Sequence, residues 1–367
     1  MPAQETVTTK DYQLSDPERR QSQRPPSINE LLERRRKPFG PGWLLDFGTP
    51  PKVDVYNSSA PIKVDGGEPM VIIREEDGDQ FSSQNHFFRY NSGAKFRREP
   101  NISNLSELSL GWICQDPATA YVQSNWVITQ VEVDPASLNN PSQDVRLHSA
   151  IYAGKKLDSL SLISRSPDNM KGVRLVELKD SRVGVFTRPQ HRFDPARGGL
   201  GKIGFTVFES LSQISSDALA AAPLIPDLFS EDDTEWRGVN DVSLLPNGEL
   251  AVLAHQARFE KSHIPDSRGY YPLFFTFNPE SYQVDHQQIL ATLDDFRFNG
   301  QVKPKTPDVD NVFYPSALLF PNGDIRSSYA GLIGGAKDSR MAADYIPNPA
   351  TGWLEAHPQY KYGGQPL

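Results

Sequence analysis

Charged and aromatic residues stand at the ends of apolar, alternating segments along this chain. Their types suit a site that handles sugars. Arg74, Glu75, Glu76 and Asp77 follow "MVII", and Asp116 sits in "GWICQDPATAYV" just ahead of an alternating run. Lys171 and Arg174 open "MKGVRLVEL", and Arg188 closes the partner segment "VFTRPQ". Trp236 opens "WRGVNDVSLL", which carries Asn240 and Asp241; His255 ends the next segment, and Tyr270 and Tyr271 follow. Taken singly, each is a solvated strand end or a capped turn. Brought together, they line one cavity in which aromatic faces stack on pyranose C–H surfaces and charged planar groups grip hydroxyls.

Such convergence needs a fold that returns equivalent strand ends to one place, and the chain repeats itself accordingly. "APIKVDGGEPMVIIREE", "ATAYVQSNWVITQVEV", "VRLVELKDSRVGVFTR", "DVSLLPNGELAVLAH" and "SALLFPNGDIRSSYAG" each join two alternating segments through a turn. The turns fall near residues 66, 124, 180, 247 and 322, a spacing of about 56 to 75 residues. "HSAIYAG", "GKIGFTVFESL" and "PLFFTFNP" read as further strands between them. The regular beat predicts an all-β, five-bladed β-propeller over residues 41–367, since blades of four strands commonly take ~40–50 residues. A two-sheet sandwich also shows short alternating strands, but without the longer beat. A propeller gathers its inner strands around one axis, where the residues named above would meet.

The bulk composition narrows the function. The 367 residues hold 31 prolines and 26 glycines, which favours turns over long helices. Net charge is −8 with no basic stripe, so a nucleic-acid partner is not expected. The single cysteine, Cys114, permits neither an internal disulfide nor a thiolate metal site and fits a reducing compartment. No run is long and apolar enough for a membrane span, and the N-terminus has no apolar leader core; a soluble, cytoplasmic protein without a membrane partner is the expectation. Residues 1–40 form a polar extension containing a capping-box pattern, Ser27 to Glu30, and the cluster Arg34, Arg35, Arg36 and Lys37, read as the solvated end of a short helix. There is no P-loop, no dinucleotide-binding glycine motif, no His-Glu-x-x-His and no Gly-x-Ser-x-Gly, and no metal is expected.

The stretches "MKGVRLVELKDSRVGVFTRPQ", "GGLGKIGFTVFESL", "WRGVNDVSLLPNGELAVLAHQARF" and "RGYYPLFFTFNP" resemble the mannosyltransferase–phosphorylases of β-1,2-mannan, a family long described as a domain of unknown function. Through that family the chain resembles the inverting β-mannoside phosphorylases, which are five-bladed propellers. The likeness spans roughly residues 50–348 and is strongest from 170 to 280.

The resemblance implies roles. "CQDPA" places Asp116 as the proton donor, with phosphate itself as nucleophile, and its pKa is expected to be raised by partial burial. Lys171, Arg188 and His255 resemble the phosphate-binding residues. Arg74 and Glu76, Asn240 and Asp241, Trp236 and Tyr271 fall where sugar contacts are expected. No cofactor is implied beyond phosphate or a nucleotide-sugar as co-substrate, and the partner is an oligosaccharide or sugar phosphate. The chain departs from the family at Gly172, at Ala254 and Gln256 around His255, at Gly269, and in "YPSAL". Two alternatives stand beside phosphorolysis or transfer. An inverting hydrolase needs a second carboxylate ~6.5–9.5 Å from the first, with Asp241 or Glu76 as candidates; a non-catalytic glycan-binding propeller needs none.

Overall fold

The alternating segments form strands almost throughout. The computed structural model describes residues 25–361 apart from 64–66, 79, 101, 103–104, 140–144, 191–198, 230–231 and 233. The first sheet runs in order through β2 (Val53–Ser58), β3 (Met70–Asp77), β4 (Gln84–Ser92) and β5 (Lys95–Arg98). The second does the same through β6 (Ile113–Val122), β7 (Asn125–Val133), β8 (Leu147–Gly154) and β9 (Ser161–Arg165). The third has β10 (Arg174–Glu177), β11 (Val183–Thr187) and β12 (Gly204–Phe208).

An eight-stranded sheet follows, built from two antiparallel halves. One half is β13 (Glu235–Leu244), β14 (Leu250–Phe259), β15 (Arg268–Phe277) and β16 (Val284–Ile289). The other is β17 (Asn311–Leu319), β18 (Tyr329–Ala336) and β19 (Arg340–Pro347), completed on its outer edge by β1 (Trp43–Leu44) from the start of the chain. Only a short parallel pairing, Gly269 with Asn311 and Tyr270 with Val312, joins the halves.

Turn chemistry sets these registers. Val122 pairs with Asn125, which leaves Gln123 and Ser124 at φ 48° and 59°, the left-handed pair that matches strand twist in a two-residue hairpin. Ser181 (φ 66°) and Gly248 (φ 98°) turn the next two hairpins. The β2–β3 connection is longer than a tight turn: an Ile62–Met70 bridge flanks it, and Gly66 lies outside the described residues.

The apolar side chains pack between the sheets. Ile72 and Phe87 meet Ile128 and Leu157; Ile151 and Val127 meet Leu175 and Val185; Phe186 and Phe205 meet Leu273, Phe275 and Phe277. Leu253 and Phe274 meet Phe313 and Leu332, and Tyr56 and Ile73 meet Met341. The first strands of the sheets touch in a closed circuit: β2 with β6, β6 with β10, β10 with β13, β13 with β17, and β17 with β2. The architecture is an all-β, propeller-like arrangement with few short helices. Among the described residues, no helix is long and apolar enough to cross a membrane.

Near the start of the chain, α1 (Ile28–Arg34) forms with its capping box closed: the Glu30 backbone N–H donates to Ser27 Oγ at 3.3 Å, and the Ser27 N–H to Glu30 Oε2 at 2.8 Å. Ile28 and Leu31 bury against the cluster between the third sheet and β13–β16, so the polar extension is pinned at this helix. Arg35 from the basic cluster pairs with Asp295 at 3.0 Å.

Phe205 packs against Phe186, Phe277 and Tyr282 with ring centroids 4.8, 4.9 and 5.8 Å apart. Phe205→Ala is expected to lower the unfolding free energy by about 3–5 kcal/mol in urea titration, because the cavity opens between two sheets that cannot collapse independently.

Candidate functional site

The strands nearest the axis carry a repeated irregularity. Register shifts fall at Asn57 in β2, at Asp116–Pro117 in β6, at Asn240 in β13 and at Ser316 in β17. A bulge inserts one residue and re-aims its side chain. Asn57 and Asp116 accordingly take left-handed backbone, φ 52° and 45°. The third sheet has Gly172 (φ 71°) just before β10, beside Lys171. The inner strands thus deliver polar residues toward one axial region.

Asp116 is buried there. Its Oδ1 accepts from Asn57 Nδ2 at 2.8 Å and Arg74 Nη1 at 3.2 Å. Arg74 is held in turn: its Nε donates to Ser83 Oγ at 2.9 Å and Glu76 Oε1 at 3.0 Å, and its guanidinium lies 4.7 Å over the Tyr56 ring. Lys305 closes on the other Glu76 oxygen. Ser83 Oγ donates to the Cys114 carbonyl at 2.9 Å, which ties this network to the strand leading into Asp116.

Burial alone would push the Asp116 carboxyl up. The charges of Arg74 and Lys171, the Asn57 amide and the charge of Arg174 outweigh it and hold the group below the usual carboxylate range. The raised value expected from the sequence is therefore corrected. Partial burial was the only influence visible along the chain, whereas the cations arrive from other sheets.

Opposite stand cations without matching acids. Arg188 Nε donates to the Arg237 carbonyl at 2.8 Å, and Arg174 Nε to the Asn240 carbonyl at 3.0 Å. Neither has a carboxylate partner among the described residues, and the Lys171 ammonium has no hydrogen-bonded or ionic partner among them. Burial first, and the like charge of Arg188 second, bring Lys171 down to about 8 against the pull of Asp116. His255 is buried beside them. Burial, then the charges of Arg188, Lys171 and Arg174, keep its pKa well below the ordinary value, so the ring is neutral. Nδ1 donates to Asn240 Oδ1 at 2.8 Å, which leaves the Nε2 lone pair buried without a partner among the described residues. Tyr270 and Tyr314 flank the ring at 5.5 and 5.0 Å. Gly238 permits this crowding, since a Cβ there would fall 2.5 Å from His255 and 2.8 Å from Arg188.

The structure thus brings together Arg74, Asp116, Lys171, Arg188, Asn240 and His255. Glu76 lies beneath them, its carboxylate taken by Arg74 and Lys305, so it positions Arg74 and is not free to hold a sugar. Trp236 stands behind the site, donating to the Tyr270 hydroxyl at 3.2 Å. Two expected sugar contacts are corrected. Tyr271 points to the opposite face of β15 from Tyr270, because side chains alternate, and its hydroxyl donates to Glu260 at 2.6 Å. Asp241 lines a cavity of about 220 Å³ with Thr119, Thr129, Arg174 and Asn240, but its oxygens are taken by the Val242 and Leu318 N–H groups, and burial pushes it up to about 6.

Asn57, Tyr314 and Asp338 were not singled out in the sequence. Asp338 sits at φ 50° in the β18–β19 turn. That turn is anchored by Lys305 N–H on the Lys337 carbonyl (3.1 Å) and Val55 N–H on the Ser339 carbonyl (2.9 Å). Burial raises its pKa, Arg74 counters it, and its carboxyl has no partner among the described residues. The "VYNSS" and "YPSAL" positions could have been found by aligning the five hairpins at the Asp116 level; Asp338 lies outside those hairpins. No cluster of His, Cys, Asp or Glu among the described residues is disposed to hold a metal.

The site's anion binding should follow Lys171. Sulfate, whose own charge is fixed near neutrality, is expected to lose affinity in calorimetry as pH rises through about 8, and Lys171→Arg to hold affinity over the same range. Folded Lys171 binds fewer protons than unfolded Lys171 between about 8 and its ordinary value, so unfolding free energy rises with pH in that window.

Known proteins bear on this geometry. A family model described as "Protein of unknown function (DUF1861)" matches residues 32–349. No curated protein matches the chain. Among solved structures, MPT-4, a mannose phosphorylase from Leishmania mexicana in complex with phosphate ion, is similar at 23% identity and TM-score 0.73, over 90% of this chain and 93% of that one. MPT-1, a GDP-Man-dependent mannosyltransferase from Leishmania mexicana, is similar at 21% identity and TM-score 0.72, over 89% and 96%. A β-1,2-mannobiose phosphorylase from Listeria innocua, in complex with β-1,2-mannobiose, is similar at 10% identity and TM-score 0.57, over 88% and 95%. These likenesses establish a shared fold.

Proposed function

The chain belongs to the DUF1861 family, and from that premise we propose that it is a carbohydrate-active enzyme that moves β-linked mannosyl or similar residues with inversion. The incoming or departing group is phosphate or the diphosphate of a nucleotide-sugar, and no other cofactor is required. The closed circuit of inner strands supports a five-bladed propeller over residues 41–367, with residues 1–40 as a polar extension docked through α1.

One observation carries the reading: an ionised, immobilised carboxylate, Asp116, shares a site with three cations, Lys171, Arg174 and Arg188, that lack ion-paired acids among the described residues. In the transfer direction, Asp116 as it stands is the base that takes the proton of the acceptor hydroxyl, while Lys171, Arg188 and Arg174 take up the charge of the departing phosphate. In phosphorolysis the same groups run in reverse. Bound phosphate offsets the cations that depress Asp116 and adds negative charge, so the carboxyl rises toward the protonated form needed to give its proton to the leaving oxygen. The neutral His255 offers Nε2 to a P–OH or a sugar hydroxyl. Asn57 and Arg74 hold Asp116 in place, and Asp338 is the free carboxyl suited to sugar hydroxyls.

Hydrolysis is the weaker reading. Of its two candidate bases, Glu76 is paired with Arg74 and Lys305, and each Asp241 oxygen accepts a backbone N–H, from Val242 and from Leu318. A purely binding role leaves unexplained a carboxylate on left-handed backbone and cations without ion-paired acids among the described residues, both of which cost stability.

The test is incubation with β-1,2-mannobiose with and without phosphate. Phosphate-dependent mannose 1-phosphate is expected, with Asp116→Asn slower by about 10²–10⁴-fold. Phosphate-independent release of free mannose would transfer the assignment to a hydrolase, and no turnover of any mannoside with phosphate or a nucleotide-mannose would reject catalysis.

A further inference from the structure

A second cavity, a cleft of about 770 Å³, opens between the first and second sheets. It is lined by Lys63, Arg89, Lys155 and Lys156, by Tyr121 and Trp126, and by an apolar floor that includes Met70 and Leu157. Tyr121 also borders the 220 Å³ cavity that holds Arg174, Asn240 and Asp241, but the cleft lies away from Asp116. Asp116 lies near the start of β6, whereas Tyr121 and Trp126 stand at the far end of the β6–β7 hairpin, about 15 Å along the strand.

The charge of the cleft opposes that of the chain. Acids outnumber bases by 46 to 38 overall, yet four cations line this cleft beside one acid, Asp158. Arg89 is paired with Glu99 at 2.7 Å. The ammonium groups of Lys63, Lys155 and Lys156 have no hydrogen-bonded or ionic partner among the described residues. Tyr121 in the same cleft is 55% exposed and braced edge-on by Trp126 at 5.0 Å, which presents an aromatic surface to the cleft. Trp126 is seated in turn on the cluster of Ile62, Phe87 and Ile128.

We propose that this cleft is an accessory binding site for a phosphorylated sugar, its ring stacked on Tyr121 and its phosphate held by Lys63, Lys155 and Lys156. Ammonium groups on long flexible stems meet a phosphate as point charges from several directions, which suits a shallow site without a rigid fork. That aromatic surface adds the selectivity for a ring that the lysines alone lack. A neutral glycan would leave the lysines unused. The proposal stands independently of the chemistry assigned to the axis.

The experiment uses the full chain, mannose 6-phosphate as probe and mannose as the neutral control, read by tryptophan fluorescence and calorimetry. Saturable quenching by mannose 6-phosphate but not mannose is expected, weakening with added salt. Trp126→Phe should remove the signal, and Lys155→Glu with Lys156→Glu should weaken calorimetric binding on the order of tenfold. Those two lysines are exposed, so the doubly substituted chain should melt as the parent does. Asp116→Asn should bind at the cleft unchanged, which separates failure here from failure of the axial reading. Calorimetric binding that is absent in the parent, equal for mannose, or unaltered by the two lysine substitutions overturns the proposal.

Discussion

Where the apolar surface goes decides everything else in this molecule. Each sheet hides its faces against its neighbours, so the core is divided among the gaps between sheets and not concentrated at a centre. The innermost strands are left with their axial sides unclaimed by packing. Polar side chains there need only satisfy one another, and four inner strands use a bulge at the same level to present them. The short β1, from near the start of the chain, pairs with β19 at the outer edge of the last sheet and so ties the chain's beginning to its last strands.

The axial residues are not arranged for stability. Asp116 has a rigid donor on each side, Asn57 and Arg74, and Arg74 is itself fixed by Glu76, Ser83 and the Tyr56 ring. The other side has an excess of positive charge. Gathering half-buried Lys171 with buried Arg174 and Arg188 costs desolvation and mutual repulsion, and the protein offers the two arginines backbone carbonyls where carboxylates would be more favourable. The imbalance makes sense if a ligand supplies the missing negative charge. The same cations hold the Asp116 carboxyl below the usual carboxylate range and keep His255 neutral beside them.

Much of this was legible along the chain. Turn signals near 124, 180, 247 and 322 mark hairpins that form, from a two-residue turn at 123–124 to a nine-residue connection at 320–328, because turn residues and an alternating pattern are local properties with few competing solutions. Asp116, Lys171, Arg188, Asn240 and His255 were recognisable from residues at the strand ends and from a family resemblance that the DUF1861 match bears out. Less was visible where one residue of phase matters. Tyr270 and Tyr271 are adjacent in sequence and face opposite ways; strand alternation gives the rule, but only the sheet's packing shows which of them meets His255.

The sequence by itself determined the strands, their turns and the kind of side chain at each strand end, since these depend on interactions within a few residues. Tertiary structure alone decided which carboxylates are free. Glu76 and Asp338 are both acids near Arg74, but Lys305 arrives from more than two hundred residues away to saturate one, while a turn between β18 and β19 holds out the other. It decided the charge state of Asp116 as well, because electrostatic forces act through space, and the cations that set it come from other strands and other sheets.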